Sequence, residues 1–296
     1  MSTPSDFEQY SYRASVKSDV SDELINTYLL RPAAGLIVRV LYYTTVTPNQ
    51  VTIASTIAGL CAAVAYLPGT PIAYVIAGIL VTVKDLLDSA DGQLARAKNV
   101  HSRTGRFLDS IGDFIVDAAV FPAIGWSLYQ STGRLFLPVL ALAGLAGITF
   151  RVSYHVFYQV QFLHLHDQYR QNRVTEEVTS ADRETESAVL RLQKIFQVIY
   201  GWQDRLVMRI DAWARNQRSG DEFLIQWYAD TAALRMSGFL GFGTELFLLM
   251  VCSVLNRLEL YLWLNCLLMN GILLGSILYH RVVLTARIRA RRGASV

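Results

Sequence analysis

The stretch Asp85-Leu86-Leu87-Asp88-Ser89-Ala90-Asp91-Gly92-Gln93-Leu94-Ala95-Arg96 is followed, eight residues later, by Gly105-Arg106-Phe107-Leu108-Asp109-Ser110-Ile111-Gly112-Asp113-Phe114-Ile115-Val116-Asp117. Asp88 and Asp91 are three residues apart, so on a helix they share a face. Asp109 and Asp113, four apart, also share one, and Asp117 extends it by a further turn. The short link between the two segments makes the helices antiparallel neighbours, and their acidic ends then meet at one level.

Outside this pair the chain is strongly apolar. Of 296 residues, 52% are hydrophobic and 17% charged, with mean hydropathy +0.30, against about 25% charged in soluble domains. The apolar residues gather into runs of about twenty, the length a bilayer crossing needs. This excludes a disordered chain, a disulfide-stapled secreted domain and an ordinary soluble globule. The fold expected is all-α: a polytopic integral membrane protein with six transmembrane helices, an N-terminal interfacial amphipathic helix and a cytoplasmic helical insertion. Cys61, Cys252 and Cys266 lie inside apolar runs without metal-ligand spacing and read as small buried hydrophobes. A net charge of +3 is too small to argue for nucleic acid. The polar start, with Asp6, Glu8 and Asp19, does not resemble a cleavable signal peptide.

The six expected spans are Gln50–Leu67, Pro71 to about Arg96, Gly105 to about Tyr129, Arg134 to about Phe162, Met236–Leu255 and Leu260–His280. Lys98, Arg103 and Arg106 lie in the second-to-third loop, and Arg281, Arg287, Arg289, Arg291 and Arg292 in the tail. The turns on the opposite side offer Arg134 and Arg257. The positive-inside rule then places both termini and the acidic ends in the cytoplasm, at the cell membrane. Residues 1–30 form a polar segment. Residues 31–46, with Arg39 in the middle, suit a helix lying in the interface, and 47–165 hold spans one to four. Residues 166–234 form a charged connector in which Leu190, Ile195, Ile199, Leu206 and Ile210 recur at near-helical spacing. Spans five and six occupy 235–285, and 286–296 is a basic tail.

A carboxylate inside a span costs on the order of 2.5–3.5 kcal/mol, and several together also repel. Such a cluster persists when hydrated, protonated or neutralised. Two divalent cations balance four carboxylates, and an all-oxygen ligand set selects magnesium, manganese or calcium. Paired ions of this kind clamp phosphoryl oxygens during in-line displacement. Arg96 offers a planar fork for a diphosphate, and Gly92 and Gly105 allow close approach to the backbone.

The string Asp88-x-x-Asp91-Gly92-x-x-Ala95-Arg96-x8-Gly105-x-x-x-Asp109-x-x-x-Asp113 resembles the signature of the CDP-alcohol phosphotransferase family. So do Thr47-Pro48-Asn49 opening the first span and the interfacial helix before it. The resemblance implies a transferase that moves a substituted phosphate from a CDP-linked donor to an alcohol and releases CMP. It implies that Asp88, Asp91, Asp109 and Asp113 hold two Mg2+ or Mn2+ ions and that Asp113 also serves as general base. Gly92, Ala95 and Gly105 would line the cytidine pocket, and Arg96 would bind the donor phosphates. The stretch from Arg31-Pro32 to Thr52 looks most like the branch that handles inositol phosphates; a bacterial or archaeal phospholipid synthase using CDP-diacylglycerol or its ether analogue is equally compatible, with inositol phosphate, glycerol phosphate or a similar alcohol as acceptor. Asp117 is a candidate neighbour of the metal ligands, and Asp85 a candidate ion-pair partner of Lys84. Arg103, Arg106, Arg151 and His155 are candidates for an acceptor phosphate. Membrane lipids and a second copy of the chain are the expected partners. A magnesium-dependent prenyltransferase would lack the Gly-Ala-Arg and second Gly elements. A divalent-cation transporter would place its acids midway along the helices.

Overall fold

The computed structural model describes residues 10–15, 23, 25–100, 102–166, 178 and 187–293, and among them it is helical without a strand. The first long element, α1 (Arg31–Leu41), carries Pro32 in its first turn, where a missing N–H costs nothing. It buries Ala34, Gly35 and Val38 and exposes Leu36 and Val40. It falls within the stretch 31–46 and ends at Leu41, short of Val46.

Four long helices follow: α2 (Pro48–Tyr66), α3 (Pro71–Ala97), α4 (Arg103–Thr132) and α5 (Phe136–Leu165). Their starts are written in the sequence. Thr47 and Gln50 form a reciprocal capping box ahead of Pro48, Thr70 caps α3 before Pro71, and Ser102 accepts from the Gly105 N–H at 3.0 Å. Gly133 ends α4 in the left-handed conformation, at φ +70°. The backbones of α2 and α4 approach closely. A Cβ on Gly59 would stand 2.5 Å from Val116 Cγ1, and one on Gly112 2.5 Å from Thr56 Oγ1. That contact sets the acidic face of α4 against α2. At the far end, Tyr66 hydrogen-bonds Ser253 at 2.7 Å and Tyr74 hydrogen-bonds Ser127 at 2.6 Å, so these four buried hydroxyls are satisfied.

The connector contributes α6 (Ser187–Ala214) and α7 (Asp221–Tyr228). Arg170, Arg173 and Arg183 of the charged connector lie outside the described residues. Next come α8 (Thr231–Gly238) and α9 (Phe242–Val254), then a helical run α10 from Leu258 to Gly293 with wide π turns at Leu264–Met269 and Tyr279–Leu284. The single fifth helix expected over Met236–Leu255 is thus two helices. Gly241 turns extended at the break, and the Glu23 carboxylate sits against it, accepting from the Thr244 N–H at 3.1 Å. A carboxylate at a helix N-terminus satisfies orphaned amides and complements the dipole.

Among the described residues, four helical stretches are long and apolar enough to cross a membrane: Pro48–Tyr66, Phe136–Leu165, Thr231–Val254 and Leu258–Arg291. α3 and α4 have 27 and 30 residues, but their charged turns leave no uninterrupted apolar stretch of that length. α3 nevertheless exposes Ile72, Ile76, Ile79 and Val83, an i, i+4, i+7, i+11 stripe that stops just before the acidic turns.

Candidate active site

The acidic turns of α3 and α4 meet as the spacing predicts. Asp88, Asp91 and Asp109 each bring one carboxylate oxygen to within 4.8 Å of the others. Asp91 is buried, whereas Asp88 and Asp109 retain some exposure. Thr52 of α2 donates its hydroxyl to Asp91 Oδ2, fixing that carboxylate from a third helix. One oxygen of Asp109 is buried without a hydrogen-bond partner. A buried, unpaired carboxylate oxygen beside two further carboxylates is what a hard cation requires, so the donor set fits a divalent ion.

Asp113 stands slightly apart because Lys84 claims it. The buried ammonium donates to Asp113 Oδ1 and lies 3.7 Å from Asp88 Oδ1. Lys84 therefore joins the two sides of the cluster, and among the described residues its ion pairs are with Asp88 and Asp113. The expected Lys84–Asp85 pair is not among them: neighbours on a helix point about 100° apart, whereas i, i+4 positions align. Asp117, one turn deeper, is buried with one unpartnered oxygen and lines a small cavity with Lys84, Gly59 and Leu246.

The donor-side candidates surround the same turns. The Arg96 guanidinium folds back over Gly92, where a Cβ would stand 3.4 Å from its Nη1, and its Nε donates to Ser15 O at 2.6 Å. Ala95 is partly exposed beside it. Gly105 is pressed against the start of α2: a Cβ there would stand 2.8 Å from Asn49 Oδ1. Lys98 ties the end of α3 to the loop before α2, donating to Thr44 O at 2.8 Å and Val46 O at 2.9 Å.

The four acceptor candidates divide into two pairs. Arg103 and Arg106 flank the Phe107 ring at 5.6 and 5.2 Å, at the cluster's end of α4. Arg151 is fully buried, donating to Glu245 Oε2 at 3.1 Å, Asn270 Oδ1 at 2.7 Å and Asn265 O at 3.1 Å. His155 is buried with Nδ1 3.2 Å from Ser237 Oγ. The latter two side chains are engaged inside the bundle.

One neighbour comes from the connector. The Tyr200 hydroxyl of α6 donates to Ser110 O at 2.8 Å, between Asp109 and Asp113 in sequence. Burial and then the nearby Asp113, Asp117 and Asp109 charges push its pKa up, so it remains a protonated donor.

Residues 45–166 match the family model described as CDP-alcohol phosphatidyltransferase, a span that contains the whole cluster, Thr52 and Lys84. Residues 45–166 are a CDP-alcohol phosphatidyltransferase domain. The chain is similar to a bifunctional IPC transferase and DIPP synthase of Thermococcus kodakarensis, at 35% identity over 33% of this chain and 22% of that protein. It is similar to a phosphatidylinositol phosphate synthase of Corynebacterium glutamicum, at 36% identity over 35% of this chain and 44% of that one. An archaetidylinositol phosphate synthase of Pyrococcus horikoshii is 40% identical over 25% of this chain and 38% of its own. The chain spans from about a fifth to under a half of the length of these curated relatives.

Proposed function

We propose that this protein transfers a substituted phosphate from a CDP-linked lipid, such as CDP-diacylglycerol, to a hydroxyl of inositol phosphate or a similar polyol phosphate. The observation that carries the reading is the convergence of Asp88, Asp91 and Asp109 around a buried unpaired oxygen, with Asp113 alongside. In the reaction the acceptor oxygen bonds to the distal phosphorus, the P–O bond to CMP breaks, and CMP leaves as the phosphate anion. Asp88, Asp91, Asp109 and Asp113 would hold two Mg2+ or Mn2+ ions, which neutralise phosphoryl oxygens when bound. Asp113 accepts the acceptor's hydroxyl proton. Thr52 orients Asp91, and Lys84 keeps Asp113 aligned with Asp88 across the helix pair.

Arg96 binds the donor's phosphates after releasing Ser15 O, and Gly92, Ala95 and Gly105 line the cytidine pocket. Arg103 and Arg106 are the proposed contacts for the acceptor phosphate. The four apolar helical stretches are joined as spans by α3 and α4, and the exposed Ile72, Ile76, Ile79 and Val83 of α3 face acyl chains. This gives six spans with the acidic ends and both termini in the cytoplasm. The same resemblance supports a homodimer. The names of the relatives support an inositol phosphate acceptor. A panel of CDP-linked donors against inositol phosphate, glycerol phosphate, serine and simple alcohols tests the assignment. Product with inositol phosphate alone supports it, and CMP release only with other acceptors overturns the acceptor half.

A further inference from the structure

The connector helix α6 carries a feature the reaction does not use. Its inner face buries Val189, Gln193, Tyr200, Gln203, Val207 and Asp211. The helix crosses three others in succession. Phe196 packs on Phe107 of α4 at 5.4 Å, Gln203 accepts from Ser153 of α5 at 2.8 Å, and Arg281 of α10 donates to Trp213 O at 2.6 Å. A helix that lies across neighbouring spans near the same end runs along the membrane plane.

The outer face is divided lengthwise. At about 100° per residue, Ile195, Ile199, Trp202, Leu206 and Trp213 fall within about 60° of one another. Ile195, Trp202 and Trp213 are 46%, 51% and 49% exposed, so among the described residues this strip is about half open, with Ile199 partly packed against the Phe107 cluster. Arg191, Lys194, Arg205 and Arg209 occupy a separate arc of similar width on the other side, and all are exposed. Arg281 stacks over the Trp213 ring at 3.8 Å, adding a cation to one end of the strip. An apolar strip with two indoles beside a row of cations is the pattern of a helix seated at the level of lipid headgroups.

We propose that α6 is an in-plane membrane helix that binds anionic phospholipid. Its Ile195–Trp213 strip enters the acyl boundary, and Arg191, Lys194, Arg205 and Arg209 contact lipid phosphates. Because Tyr200 on its inner face holds Ser110, the bound bilayer surface also braces α4 beside the aspartates. The lipid contact itself is independent of the reaction proposed above.

The test uses the full-length protein in vesicles of phosphatidylcholine with brominated acyl chains, with and without phosphatidylglycerol. Trp202→Phe and Trp213→Phe isolate the two indoles by difference. Both are expected to be quenched by bromines placed near the headgroup end of the chain, more strongly with phosphatidylglycerol. Replacing Arg191, Lys194, Arg205 and Arg209 by Gln, all at exposed positions, lowers the apparent affinity for phosphatidylglycerol roughly fivefold per cation removed. Quenching by aqueous iodide instead of bromolipid, or protection from both agents in a dimeric preparation, overturns the membrane seat. An undiminished phosphatidylglycerol response in the Gln variant overturns the headgroup contact.

Discussion

Replacing Lys84 by Met tests how the aspartate cluster is balanced. Lys84 is 3% exposed, and its ammonium pairs with Asp113 and, at 3.7 Å, with Asp88. Met keeps the length and volume of the side chain but removes the cation. Breaking a buried pair by deleting one partner costs about 3–5 kcal/mol, because the remaining charge is left uncompensated. A divalent ion on the same carboxylates supplies the missing charge: at a hundredfold excess over Kd it returns about 2.7 kcal/mol. The wild type gains less, because its Asp113 is already paired. Thermal unfolding of purified protein, followed with magnesium and with a chelator, therefore shows a large loss for Lys84→Met in chelator and a small one in magnesium. An equal loss in both conditions would refute the idea that the ammonium and the metal share these carboxylates.

Thr52→Val removes the hydroxyl that holds Asp91, weakens divalent-ion binding about 10–100-fold and lowers stability by about 1–3 kcal/mol by leaving a buried oxygen without its donor; calorimetric titration reads the binding loss directly. Gly59→Ala drives a Cβ into Val116 and costs about 1–3 kcal/mol, which Val116→Ala in the same protein recovers if the α2–α4 contact is the cause. Glu245→Gln leaves the fully buried Arg151 uncompensated and lowers stability by about 3–5 kcal/mol, whereas replacing both residues by Leu and Met restores most of it.

Much of the site was legible because it is local. The i, i+3 and i, i+4 spacings place the aspartates on facing helix surfaces, and Thr47, Thr70 and Ser102 mark where α2, α3 and α4 begin. What escaped the sequence was set by tertiary contact. Thr52 lies 39 residues from Asp91, and no periodicity links them. Lys84 stands beside Asp85 in the chain, yet helical twist turns it toward Asp88 and across to Asp113. The break at Gly241 depends on Glu23, a residue from a distant segment. In the connector, the regular spacing of Ile195, Ile199 and Leu206 traced the outer strip, while the packed face is largely polar: Gln193, Tyr200, Gln203 and Asp211 find partners on other elements. The pattern of Leu190, Ile195, Ile199, Leu206 and Ile210 thus traced that face only in part, since Leu190 lies about 150° round the helix from the strip, and the solvent proposed for the strip is lipid.

The most direct test of the central claim is CMP release by the purified, reconstituted protein with magnesium, CDP-diacylglycerol and inositol phosphate, measured beside its Asp113→Asn variant. The account predicts CMP formed one-for-one with a phospholipid product in the wild type, and loss of turnover in a variant that remains folded and membrane-inserted. No CMP from any CDP-linked donor, or full activity in Asp113→Asn, would contradict it.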